Sequence, residues 1–152
     1  MIPKHLLHPE VLVTLSEYLP AARAAEAMSR HAVGCVLVVS ETGALRGILT
    51  DRDLALAVAS DAELRSLPLS SLMTPNPVTV RTDEDIEAVI HRMEENGVRR
   101  IPVVEGASSG QLRCLGLITL DDLVLERRID YDHLVRVLRG QVRPRPQLAV
   151  AS

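Results

Sequence analysis

Two aspartates, Asp53 and Asp122, each stand three positions after a threonine, Thr50 and Thr119, and each threonine stands three positions after a glycine, Gly47 and Gly116. An ionised carboxylate accepts two hydrogen bonds at once, and the neighbouring hydroxyls of a ribose donate two, so this residue type suits sugar-diol recognition. A threonine one helical turn earlier reaches the sugar or phosphate side, and the free amides of a helix start favour an anion there. The same Thr-x-x-Asp spacing also makes a reciprocal helix cap worth about 1 kcal/mol, and capping and ligand binding can coexist. Arg52, beside Asp53, and the Arg99-Arg100 pair add guanidinium groups of the kind that match phosphate. Surface solvation, or ion pairs with Asp51 and Glu105, is the competing reading of these arginines.

The motif occurs twice because the chain is a duplication. Gly47-Ile48-Leu49-Thr50-Asp51-Arg52-Asp53 recurs 69 residues later as Gly116-Leu117-Ile118-Thr119-Leu120-Asp121-Asp122. Upstream, Val13-Thr14-Leu15 recurs as Val78-Thr79-Val80, Met28 as Met93 and Val38-Val39 as Val103-Val104, all at an offset of 65. One insertion of four residues near the Glu105 to Gly110 turn reconciles the two offsets, and a hairpin tip tolerates it because loop closure grows costly only slowly with length.

Each copy reads as strand, helix, strand, strand, helix. In the second copy Ile86, Val89, Ile90 and Met93 form one apolar helical stripe, and Thr82-Asp83-Glu84-Asp85 before it supplies a threonine N-cap and acidic residues for the positive helix end. The matching stripe in the first copy is Ala21, Ala24, Ala25 and Met28. Val36 to Val39 and Ile101 to Val104 are β-branched strands, each followed by a turn and a second strand ending at Thr50 or Thr119, where the closing helix begins. Neither half can bury its sheet alone, so the fold class is α/β (α+β), with two βαββα units packed sheet to sheet around a pseudo-twofold axis. The stretch between them contains Pro68, Pro75 and Pro77 among Leu67, Leu69, Leu72 and Met73 and reads as a packed linker. Beyond Arg127, Leu134, Val135 and Leu138 suggest a helix face, and Pro144 and Pro146 a frayed end.

The composition narrows the function classes. With no Phe, no Trp, only Tyr18 and Tyr131, and a net charge of -3, the chain lacks both a stacking surface and an electrostatic drive toward nucleic acid. Cys35 and Cys114 form neither a metal spacing nor a disulfide framework, and the scattered histidines, of which only His5 and His8 share a local spacing, name no metal site. No nucleophile, base and orienter emerge as a set, so no catalytic residue is named. The longest apolar run, Val33 to Val39, is too short to span a bilayer, and without a secretion signal the expected location is cytoplasmic. Arg127, Arg128, Arg136, Arg139, Arg143 and Arg145 make the end of the chain basic.

Met73-Thr74-Pro75-Asn76-Pro77-Val78-Thr79-Val80, Gly97-Val98-Arg99-Arg100-Ile101-Pro102-Val103-Val104 and the two glycine-to-aspartate motifs, in this order and duplicated, resemble a tandem CBS-domain protein, or Bateman module. The resemblance divides the chain into a first repeat at 8–62, a linker at 63–77, a second repeat at 78–126 and a C-terminal helix and tail at 127–152. It implies adenosine-type ligands in clefts that join the Thr-x-x-Asp of one repeat to the strand start of the other, and assembly of two chains into a disc. On that pattern the first cleft combines Thr50, Arg52 and Asp53 with Val78, Val98, Arg99 and Arg100. The second combines Thr119 and Asp122 with Val13, Val33 and Gly34 and, lacking arginines, is expected to bind more weakly.

The resulting expectation is a non-catalytic sensor of an adenine nucleotide, AMP, ADP or ATP ahead of S-adenosylmethionine or NAD. It requires no cofactor, forms a homodimer and signals to a separate effector protein. The rival expectation is a ligand-independent scaffold that docks partners through its helical faces and basic tail.

Overall fold

The computed structural model describes residues 1–59, 63–106 and 110–142. The first repeat consists of β1 (Thr14–Ser16), α1 (Ala21–His31), β2 (Cys35–Val39), β3 (Leu45–Thr50) and α2 (Asp51–Val58). A short α3 (Leu69–Leu72) and the two-residue strand β4 (Thr74–Pro75) follow. The second repeat consists of β5 (Val80–Arg81), α4 (Ile86–Asn96), β6 (Arg100–Gly106), β7 (Leu112–Thr119) and α5 (Leu120–Leu125), after which α6 (Tyr131–Val142) ends the described chain.

The strands form two sheets, ordered β1-β2-β3-β4 and β5-β6-β7. Their registers repeat as the sequence does. β1 runs parallel to β2 with Thr14 opposite Leu37, and β5 runs parallel to β6 with Val80 opposite Val103. The antiparallel β2–β3 ladder shifts register between Val38 and Val39, and the β6–β7 ladder shifts at the equivalent Val103 and Val104. The sheets meet through β3 and β7. Ala44 there bridges to Arg113, and the Thr42 hydroxyl donates to Gln111 Oε1 at 3.1 Å.

Each sheet is closed on one side by its own helix. Val89, Ile90 and Met93 of α4 are buried and Ile86 is half-buried, whereas on α1 only Ala21, Ala24 and Met28 are buried and Ala25 is exposed. The α4 cap is Asp85, whose Oδ1 accepts from the Ala88 amide at 2.9 Å, and not the threonine expected at 82. Glu84 instead takes a bidentate hydrogen bond from Arg92, at 2.6 and 3.1 Å, and one from the Arg81 amide. Both helices end in a left-handed residue, Gly97 at φ +60° and Ala32 at φ +52°. The alanine bears a cost of about 1 kcal/mol that the glycine avoids.

The segments that precede the repeats are exchanged. Ile2 and Leu6, ahead of the first repeat, are buried in the core of the second, while Leu69, Leu72 and Met73, ahead of the second, pack in the core of the first. Each exchanged segment covers the other repeat's motif glycine. A Cβ on Gly47 would lie 2.4 Å from Met73 Sδ, and one on Gly116 would lie 2.3 Å from the Leu7 carbonyl oxygen, so both glycines are required by close approach. The stretch expected as a packed linker buries Leu64 and Leu69, and its Thr74–Pro75 adds an edge strand, with Gly47 opposite Pro75.

α6 lies against α4, burying Val137 and half-burying Leu134, whereas Leu138 of the expected face is 40% exposed. Gln141 Nε2 donates to the Gly97 carbonyl, and Glu94 Oε1 receives Arg136 Nε at 3.1 Å and lies 2.6 Å from His133 Nδ1. The proline-containing end, with Arg143 and Arg145, lies outside the described residues.

Candidate functional site

The Thr-x-x-Asp residues lie where a strand gives way to a helix. Thr50 and Thr119 are extended N-caps, and both capping boxes are complete. In the first, the Asp53 amide donates to Thr50 Oγ1 at 3.2 Å and Asp53 Oδ2 accepts from the Thr50 amide at 2.9 Å. In the second, the Asp122 amide donates to Thr119 Oγ1 at 3.1 Å, and Asp122 Oδ2 accepts from both the amide and the hydroxyl of Thr119 at 2.7 Å. The helix begins against the strand start of its own repeat in both, since Asp51 N donates to the Gly34 carbonyl at 3.0 Å and Leu120 N to that of Arg99 at 2.8 Å. The caps engage one carboxylate oxygen, Oδ2, so the reading of these aspartates as caps holds without exhausting them.

Around the second motif the chain encloses a cavity of about 260 Å³. Leu12, Val13, Val33, Leu37 and Leu117 give it apolar walls, Val11, Gly34 and Cys35 complete them, and Thr119, Asp122, His8 and Arg100 supply the polar groups. All five residues expected in the second cleft, Val13, Val33, Gly34, Thr119 and Asp122, are thus gathered around one space. Arg100 joins them, whereas the sequence reading grouped it with the first cleft. It pairs in register with Thr119 of its own repeat, as Cys35 does with Thr50. Gly34 leaves room for it, because a Cβ there would lie 3.1 Å from an Arg100 guanidinium nitrogen and 3.5 Å from Asp51 Oδ2.

Of the residues expected in the first cleft, Asp53 is half-buried in its cap, Arg52 is exposed, and Val78 and Val98 pack against the core of the second repeat. Arg99 forms an exposed ion pair with Asp121 at 3.2 Å. The aspartate that replaces Arg52 in the second copy is therefore a partner for Arg99.

His8 also lines the Thr119 cavity, and spacing did not assign it there. Its Nε2 lies 3.5 Å from Asp122 Oδ1, the oxygen outside the cap, and its Nδ1 lies 3.4 Å from Glu10 Oε1. A usable signal was present, because the offset of 65 places His8 opposite Met73, at the head of a recognised motif. Burial pushes the Cys35 thiol up, Arg100 pulls it down and Asp51 pushes it up again; the net shift is upward, so this cavity wall carries a thiol and not a thiolate. Burial pushes Cys114 up to about 11.

A second, apolar depression of about 320 Å³ lies between α1 and α2, against Ala21, Ala22, Ala25, Leu54, Val58 and Leu64. Among the described residues, no helix is long and apolar enough to cross a membrane.

Comparison with known proteins gives the same two-part division. The family model for the CBS domain matches residues 6–60 and 69–128. The uncharacterized protein YlbB of Bacillus subtilis is 37% identical over 106 residues, spanning 69% of this chain and 68% of its own. The cytosolic domain of the Mg2+ channel MgtE, solved in complex with ATP, is 28% identical with a TM-score of 0.64, over 80% of this chain and 46% of that one. CBSX2, solved in complex with AMP, shares the fold at 23% identity and a TM-score of 0.66, over 82% of this chain and 93% of its own. With both repeats matched by the family model and the overall fold shared with the solved relatives, the chain belongs to the CBS domain family as a tandem pair.

Proposed function

We propose that this protein is a non-catalytic, cytoplasmic regulatory module that binds an adenine nucleotide in the cavity at Thr119 and Asp122, with Arg100 as the phosphate contact. The cavity carries this reading. It is apolar along most of its wall, has a carboxylate at the start of a helix and one guanidinium across from it. That is the arrangement a flat base, a diol and a phosphate require. At about 260 Å³ it is slightly smaller than the roughly 300 Å³ at which drug-sized pockets begin. It suits a base and ribose, with the phosphates directed outward past Arg100. The ATP and AMP complexes of the two relatives support the ligand class. Thr50, Asp53 and Arg52, with Val78, Val98 and Arg99, form the second candidate cleft.

Exposed Leu56 and Val58 on α2 and Leu125 at the end of α5 provide apolar faces for a second copy of the chain, and signalling passes to a separate effector. A thermal-shift series with adenosine, AMP, ADP, ATP, NAD and S-adenosylmethionine at about millimolar concentration tests the reading, since a ligand that binds only the folded form raises stability by mass action. Arg100→Met should lower AMP affinity by about tenfold or more while leaving adenosine unchanged, as expected for one lost charge-assisted contact. No shift with any of these ligands refutes nucleotide sensing and favours the scaffold reading.

A further inference from the structure

We propose that His8 sets the specificity of the Thr119 cleft by competing with a ribose diol for the free oxygen of Asp122. The inference rests on the nucleotide reading above and adds a residue outside both Thr-x-x-Asp motifs. Asp122 Oδ2 already accepts two hydrogen bonds from Thr119, at 2.7 Å each, so an incoming diol depends on Oδ1. His8 Nε2 stands 3.5 Å from that oxygen. The second ring nitrogen faces Glu10 Oε1 at 3.4 Å, so the imidazole lies between two carboxylates. A neutral ring has one proton to donate and can serve only one of them; a protonated ring serves both. Protonation therefore strengthens the hold on Asp122 and makes the oxygen harder for a ligand to claim.

The ring is placed by its backbone. His8 is left-handed at φ +44° and ψ +51°, a conformation that costs a residue with a Cβ about 1 kcal/mol or more. The segment is tied to the sheet on its N-terminal side, where the Leu117 amide donates to the Leu7 carbonyl at 3.1 Å. The other cleft offers the contrast. Met73 occupies the equivalent position, 65 residues on, and a thioether has no proton to give. Beside their arginine difference, the two clefts thus differ at this position in a titrating donor, which makes the Thr119 cleft weaker in acid and leaves the Thr50 cleft without that dependence. The charged groups facing His8 are Glu10 on its own segment, Asp122 on α5 and Arg100 across the cavity; the His5–Glu126 pair lies beyond, at 3.8 Å. With His8 and Asp122 side chains 34% and 21% exposed, the competition is worth the modest factor of a partly solvated ion pair.

The test is titration calorimetry with adenosine, which has no phosphate to titrate, at pH about 5.5 and about 8, where histidine changes charge. An Asp53→Ala background silences the Thr50 cleft. The protein with His8 should bind about two- to fivefold more weakly at the lower pH. His8→Gly, which accepts the left-handed backbone, should abolish that difference and bind more tightly than the parent at low pH. His8→Asn, which also tolerates that backbone and keeps a donor that does not titrate, should show no pH dependence and carries the test if the glycine variant fails to fold. An unchanged pH profile in both variants, or weaker binding by His8→Gly at both pH values, overturns the proposal while leaving the nucleotide reading intact. Absence of adenosine binding by every variant and by the unaltered chain overturns the proposal, and joined to no thermal shift with AMP, ADP or ATP it overturns the nucleotide reading as well.

Discussion

The Gly116→Ala substitution adds one methyl group at the point where the N-terminal segment crosses β7. Its Cβ would lie 2.3 Å from the Leu7 carbonyl oxygen, 2.7 Å from Leu7 Cβ and 2.8 Å from the Leu7 carbonyl carbon. Two of these three atoms are backbone, so no rotamer change relieves the contact, and the segment must shift by about 1 Å or leave. Shifting costs about 1–3 kcal/mol as overpacking. Leaving forfeits the burial of Ile2 and Leu6, about 1.5–3 kcal/mol each, partly offset by the entropy regained by the released backbone. The cheaper route puts the loss near 2 kcal/mol, which for a chain of this size lowers Tm by roughly 4–8 °C. Since His8, Val11, Leu12 and Val13 follow directly and line the cavity, nucleotide affinity should fall in the same variant. Thermal melts joined to hydrogen exchange at the Leu117 amide, which bonds to Leu7, report both effects. An unchanged Tm together with unchanged protection at Leu117 would refute the claim that this glycine exists to admit the segment.

Asp122→Ala removes both a cap and the proposed ligand contact, so it should lower stability by about 1 kcal/mol and also abolish adenosine binding at this cleft; Asp53→Ala should match it in stability and spare that binding, which separate melts and titrations distinguish. Burial pushes the Glu94 carboxyl up, but hydrogen bonds from His133 and Arg136 outweigh it and hold it below the ordinary glutamate range. Because the folded value is the lower one, its stabilising contribution is complete above the unfolded value of about 4.3 and is lost as pH falls through the folded value. Melts at neutral pH and near pH 3.5 should therefore show a smaller acid loss for Glu94→Gln than for the parent, and an equal loss would remove Glu94 from the α6 contact.

The duplication made the fold legible, because matched offsets in the sequence became matched registers, down to the shared shift at Val38–Val39 and Val103–Val104. It also paired the threonines with the aspartates, since a cap is a local event three residues long. The exchange of the leading segments was not legible. Whether Leu6 packs on its own repeat or the other depends on which sheet edge is open, and apolar periodicity carries no information about that choice. The arginines show the same limit. Arg99 and Arg100 are neighbours near the start of β6, and successive side chains in a strand point to opposite faces. Arg99 meets Asp121 in solvent, while Arg100 enters the Thr119 cavity. Residue type identified a phosphate-matching pair, but only the register against β7 separated the two. Asp85 displaced Thr82 as the cap of α4 for a related reason, since several acidic residues in a row leave the helix start undetermined until Ile86 commits to the core.

The exchanged segments also bear on how occupancy could be felt beyond the cleft. The cavity takes walls from β2 of the first repeat, β6 and β7 of the second and the leading segment that joins them. A ligand there contacts all of these at once, so its binding free energy depends on how the repeats are set against each other. A change of arrangement follows only to the extent that the ligand prefers one setting. Arg100 is the group best placed to confer that preference, because Gly34 holds open the space it shares with Asp51 of the first repeat. A phosphate would draw the guanidinium outward, away from exposed Asp51, whereas an uncharged nucleoside would leave Arg100 where it is. On the proposed reading, ligands of equal affinity therefore differ in effect through the charge they carry past Arg100.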